Sequence, residues 1–136
     1  MAATTTNRDT RTTGSRTRVL PMAAGENIPA GVLVQVNAAG VAVNAVATAA
    51  NRCVGMSQYP ASNAAGIAGG KMVQVDRGVF GPFGNSAAAD QITLADLGAP
   101  CYVVDNQTVA KTSNTGARPV AGTVFGVDSA GVWVEI

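Results

Sequence analysis

The chain has 136 residues, with nine Lys or Arg, eight Asp or Glu and no His, so its formal net charge is +1. Without histidine, His-ligated metal sites and Ser-His-Asp catalysis are excluded, and the near-neutral balance argues against a dedicated nucleic-acid binder, which would show a basic face. Charged residues make up only 12% against 47% hydrophobic ones, in a length that suits one ordinary domain.

Residues 1–18 are a different material from the rest. They hold seven Thr and four Arg (Arg8, Arg11, Arg16, Arg18) against one acid, Asp9, and after Met1 nothing apolar larger than Ala. Such a stretch cannot bury enough surface to offset the entropy of ordering itself. A loose cationic arm over 1–18 is therefore expected, followed by one body over 19–136. Five bases against seven acids leave that body slightly negative. The arm has no interleaved aromatics for base stacking, so acidic protein surface is its expected partner.

The body is Gly- and Val-rich, punctuated by Gly, Pro and Asn at short intervals, which predicts many short strands and an all-β barrel or sandwich. Val32, Val34 and Val36 alternate, Asn37-Ala38-Ala39-Gly40 makes a turn, and Val41 and Val43 return: a hairpin. The segment Tyr59 to Gly70, with Pro60, Gly66, Gly69 and Gly70, reads as a flexible surface loop. From Lys71 to Phe80 the alternation places Val73 and Val75 inward. Helix signals are weak: Ser86 to Asp90 and Thr93 to Gly98 suit a turn or two each, the second with Thr93 as N-cap and Gly98 as stop. Tyr102 to Asp105 and Val109 form a second hairpin around Asn106-Gln107. At the end Val132, Val134 and Ile136 share one face, opposite Trp133 and Glu135.

The body also looks duplicated. Gly31 to Asn37, Val41-Ala42 and Arg52 to Gly55 are echoed by Gly98 to Asp105, Val109-Ala110 and Arg118 to Ala121, at offsets of 67, 68 and 66 residues. The echo predicts that each half supplies a hairpin and a strand, that the halves close together into one small barrel or sandwich, and that Arg52 and Arg118 lie at similar places near its rim.

No catalytic constellation survives inspection, and neither a catalytic residue, a cofactor site nor a metal site is assigned. Ala65 to Met72 approximates a phosphate-binding loop, but Ala65 and Met72 stand where Gly and Ser/Thr are needed. Asp76, Asp90, Asp96, Asp105 and Asp128 sit mostly beside turn residues and read as turn caps. Cys53 and Cys101 read as reduced, half-buried small apolar residues. No apolar run approaches the roughly 20 residues of a membrane span, and the Thr-rich N-terminus lacks the apolar core of a secretory signal, so assembly in cytoplasm is expected. Phe80, Pro82 and Phe83 form a stiff apolar loop which, with Trp133, either plugs the barrel or meets a neighbouring subunit.

Glu26 to Val34, Val73 to Phe80, Gly98-x-x-Cys101-Tyr102-Val-Val-Asp105, Arg118-x-Val120-Ala-Gly122 and the closing Gly131 to Ile136 together resemble the capsid cement, or head decoration, family of tailed bacteriophages. The resemblance spans roughly Pro21 to Ile136 and rests on the order of strands and glycines. The long arm and the Tyr59 to Gly70 insertion depart from shorter members. The resemblance implies a non-enzymatic virion protein: a β-barrel homotrimer on the outer face of the expanded head, at local three-fold positions, with no direct nucleic-acid or membrane contact. It also implies an arm that orders against the major capsid protein, which assigns Thr4, Thr5, Thr6, Arg8, Arg11, Thr12, Thr13, Arg16 and Arg18 to capsid binding. The alternative is a carbohydrate-binding or host-attachment module, such as a head-fibre base, on a similar scaffold; six aromatic residues in all are few for a sugar-stacking platform.

Overall fold

The computed structural model describes residues 14–136, where the period-2 stretches become twelve strands and no long helix. In the first half these are β1 (Thr17–Pro21), β2 (Asn27–Ile28), β3 (Leu33–Val36), β4 (Ala42–Asn44), β5 (Arg52–Ser57), β6 (Ala61–Ser62) and β7 (Met72–Asp76). The second half holds β8 (Val79–Asn85), β9 (Pro100–Val103), β10 (Thr108–Ala110), β11 (Val120–Asp128) and β12 (Gly131–Glu135). Two single 3-10 turns, Ala88–Asp90 and Leu94–Asp96, lie between β8 and β9. Thr93 caps the second through a capping box with Asp96, and Gly98 follows with φ +80°. Among the described residues no helix is long and apolar enough to cross a membrane.

Each half builds its own sheet. The first runs β1-β7-β5-β3-β4; the second is a closed barrel, β10-β8-β12-β11-β9. The expectation that the two halves join into one barrel is therefore corrected, while the echo behind it is real. The hairpin β3–β4 and strand β5 correspond to β9–β10 and β11, and β7 on β5 corresponds to β12 on β11. Matching residues even bulge alike. Val34 pairs with Gly55 just before a register shift, as Cys101 pairs with Gly122 beside one. The parallel contact of β10 with β8 that closes the second half is reduced in the first to one parallel bridge, Met22 to Ala42.

Two cores result. Met22, Ile28, Val34, Ala42, Val73 and Val75 fill the first sheet. Phe83, Ile92, Cys101, Val103, Val109, Ala121, Val124, Val132 and Val134 fill the barrel, joined there by Leu33 and Ala45 of the first half. Strand β3 is thus buried on both faces, sending Val34 into its own sheet and Leu33 into the neighbour's core. The halves are also tied by the Leu33 N–H, which donates to the Asn106 carbonyl (2.8 Å), and by Asn106 Nδ2 donating to Asn44 Oδ1 (2.9 Å).

Two further expectations change. The Tyr59 to Gly70 segment is not simply a surface loop: Ala61 and Ser62 pair with Ile28 and Asn27, and buried Asn63 donates to the carbonyls of Ala23 and Ile67 at 2.9 and 2.8 Å. Phe83 is only 5% exposed, inside the barrel core, which removes it from any subunit interface; it stands just past a register shift in the β8–β12 pairing, between Phe80 and Phe83. Phe80 packs partly against the same core, and Pro82 remains exposed.

Candidate functional site

The cationic segment is anchored earlier than its composition suggests. Thr17 and Arg18 pair with Asp76 and Val75 in β1, the Thr17 hydroxyl donates to Asp76 Oδ1 (2.6 Å), and the Arg77 N–H donates to the Arg16 carbonyl (2.9 Å). The arm boundary at residue 18 is accordingly corrected: Arg16 to Arg18 belong to the body. Thr4, Thr5, Thr6, Arg8, Arg11, Thr12 and Thr13 lie outside the described residues. Among the described residues, strand β1 is the outer strand of its sheet and pairs only with β7, so no described strand covers its far edge.

Beside β1 a groove of about 620 Å³ runs between the halves. Its walls come from equivalent positions. Residues 51–54 open β5 on one side, and residues 118–122 open β11 on the other; Arg77 after β7 faces Ile136 after β12. Arg52 and Arg118 both line the groove, as expected, but the strand register matches Arg52 to Pro119, so Arg118 lies one residue before the equivalent place. Their chemistry differs. Arg118 donates to Asp90 Oδ2 at 3.0 Å, whereas Arg52 donates only to the carbonyls of Ala49 and Asn51. Arg18 and Arg77 line the same groove, and neither is ion-paired among the described residues.

A second surface feature is apolar. Leu94 and Leu97 are 66% and 50% exposed, and Phe125 is 62% exposed at the bulge where β11 slips against β12. The N–H of Gly98 donates to the Val124 carbonyl (2.9 Å), and the Val124 N–H donates to the Ala99 carbonyl (2.9 Å), which places these side chains on neighbouring elements. Sequence reading missed Phe125, because strict alternation does not reveal a bulge.

The carboxylates divide by role. Asp96, Asp105 and Asp128 cap turns through backbone N–H groups, as expected. Asp76 instead accepts from Thr17 and Gln58, and Asp90 from Thr112 and Arg118. Among the described residues no three His, Cys, Asp or Glu cluster to hold a metal ion. Both cysteines are free thiols, Cys53 half-buried and Cys101 buried; burial pushes Cys53 up to about 11 and Cys101 to about 12, so neither supplies a thiolate near neutral pH. Residues 65–72 form no phosphate cradle: the segment runs through turns into β7 rather than into a helix.

Trp133 is half-buried, and its indole N–H donates to Asp128 Oδ2 (2.9 Å). That bond, followed by the backbone N–H groups of Ala130 and Gly131, holds Asp128 below the usual carboxylate range. The Thr112 hydroxyl and Arg118 do the same for Asp90, and the Thr93 N–H and Lys111 for Asp96. A carboxylate depressed on folding stabilises the fold above its unfolded pKa, about 3.9, and loses that contribution as pH falls through the folded value. Acidification below about pH 4 should therefore lower the melting temperature and change Trp133 emission together. With Asp128→Asn the acid-induced change in the emission of this single Trp should largely vanish. An unchanged titration in that variant would mean the indole bond does not sense Asp128.

No family model, curated protein or solved structure matches this chain.

Proposed function

We propose that this is a structural virion protein: a capsid decoration, or cement, protein that binds the outer surface of an expanded phage head at local three-fold positions and stabilises it against internal DNA pressure. The observation that carries the reading is the junction at β1. A Thr- and Arg-rich segment enters the body through an outer strand whose far edge no described strand covers, beside three arginines that lack acidic partners among the described residues. Strand addition supplies affinity through main-chain hydrogen bonds, and arginines supply charge-assisted contacts to carboxylates of a major capsid protein. A protein that binds only the mature lattice stabilises it by linkage, by about 2.7 kcal/mol per site at a hundredfold excess over Kd.

Homotrimerisation belongs to the same proposal. Leu94, Leu97 and Phe125 give the exposed apolar side chains that a subunit contact needs, with Phe80, Pro82 and Trp133 as further candidates. Three arms on one trimer make the later contacts intramolecular and raise apparent affinity by about two orders of magnitude or more.

Removal of residues 1–14, a cut that spares β1, should leave a folded oligomer that no longer co-sediments with undecorated expanded heads. Retained binding at the wild-type level would overturn the arm's role. Binding to a glycan array instead of heads would favour the host-attachment alternative.

A further inference from the structure

We propose that the groove between the two halves is a second docking site, which takes an extended acidic segment of a partner protein whose acidic and aliphatic residues alternate. The two walls of the groove occupy equivalent positions but present opposite chemistry. On the first half Arg52 and Arg77 face the groove with Arg18 beside them; the places on the second half that match Arg52 and Arg77 hold Pro119 and Ile136. Val120, 50% exposed, continues the apolar wall.

An extended chain points successive side chains to opposite sides. Acids at every second position would meet the arginine wall while the intervening aliphatics lie on Val120 and Ile136. The charge balance favours that occupant. Glu135 also lines the groove, and Arg118 is already neutralised by Asp90, so three arginines face one carboxylate. The carbonyls of Ala49 and Asn51 orient the Arg52 guanidinium without neutralising it.

The backbone fits as well. β7 pairs with β5 only at Met56 and Ser57, and β12 joins β11 only from Thr123 onward. The opening residues of both strands thus border the groove with one edge unpaired by any described strand, which offers main-chain hydrogen bonds to an added one. A nucleic acid is the poorer occupant, because no aromatic side chain lines the groove for base stacking. The chain's own residues 1–13 carry Arg8 and Arg11 against Asp9, the wrong sign for a cationic wall.

The test uses the full-length protein and a fluorescein-labelled octapeptide alternating Glu and Val, followed by anisotropy. The peptide should bind saturably and more weakly as salt is raised. Arg52→Glu combined with Arg77→Glu should weaken it about tenfold or more, and Val120→Ser several-fold. Both arginines are exposed; if the reversal lowers the melting temperature, Arg52→Gln with Arg77→Gln carries the same comparison. Arg8→Glu with Arg11→Glu should leave peptide binding intact while weakening attachment to heads, so failure of the shell-binding reading and failure of the groove remain distinguishable. Absence of binding, equal binding by the charge-reversed protein, or equal binding of a Glu-Ser peptide or an oligothymidylate would overturn the proposal.

Discussion

Replacing Gly55 or Gly122 by Ala should destabilise the protein by about 3 kcal/mol or more each, with Gly55→Ala the worse. The two glycines occupy matching places, one in each half, where a strand is pressed against its neighbour. A Cβ on Gly55 would overlap the Asp76 carbonyl oxygen and sit 2.8 Å from Val75 Cγ1; one on Gly122 would overlap the Glu135 carbonyl oxygen and sit 2.8 Å from Val134 Cγ1. The obstacle is backbone in both cases, which cannot rotate aside. Gly55 also has φ +146°, a region closed to alanine, whereas Gly122 is not strained in this way. Gly98 is the control, with φ +80° and open space around it; Gly98→Ala should cost only about 1 kcal/mol. Thermal melts of the three variants decide the matter. A Gly122→Ala protein as stable as wild type would show that β11 and β12 do not approach this closely.

Those paired glycines also show what was legible in the sequence. Hairpins β3–β4 and β9–β10 were readable because a period-2 run, a Gly/Asn turn and a returning run are local signals. The inward face of β7 and that of β12 followed from the same alternation, and the echo at a spacing of about 67 residues announced the duplication. Closure was not readable. Whether β4 and β10 reach back to the first strand of their halves depends on two parallel contacts, the bridge at Met22 and the β8–β10 pairing, between residues far apart in sequence. Strand β3 hid its second face for a related reason: the Val32, Val34 and Val36 alternation marks one buried face, but Leu33 on the other side meets the other half's core, a contact that alternation does not report. The groove was half visible. Its Arg52 and Arg118 came from the echo, but Arg18 and Arg77 were assigned elsewhere or left unassigned, because only folding brings β1 and the end of β7 beside β5. Phe83 could have been plug or interface on composition alone. The register shift between Phe80 and Phe83 in the β8–β12 pairing breaks the simple alternation, and the structure buries the Phe83 ring.

Gln35→Leu should cost about 3 kcal/mol despite placing an apolar residue at a fully buried position. Gln35 has no exposure, and its side chain stands in for a strand partner. Its Nε2 donates to the Val46 carbonyl (3.0 Å), while its Oε1 accepts from the Val46 N–H (3.0 Å) and from Asn51 Nδ2 (3.0 Å). One amide thus pins the segment between β4 and β5 at both backbone groups of one residue and holds buried Asn51, which lines the groove beside Arg52. Leucine would leave the Val46 N–H and Asn51 Nδ2 without these partners, while the Val46 carbonyl keeps the Thr48 N–H (2.8 Å), and that penalty exceeds what burying its aliphatic carbons returns. The equivalent position in the other half, Tyr102, is only half-buried, so Tyr102→Phe should be nearly neutral. Amide exchange should speed up at Val46 in Gln35→Leu, and groove peptide affinity should fall with it as Asn51 and Arg52 lose their support. A variant that melts like wild type and keeps Val46 protected would show that the polar clamp contributes nothing to the fold.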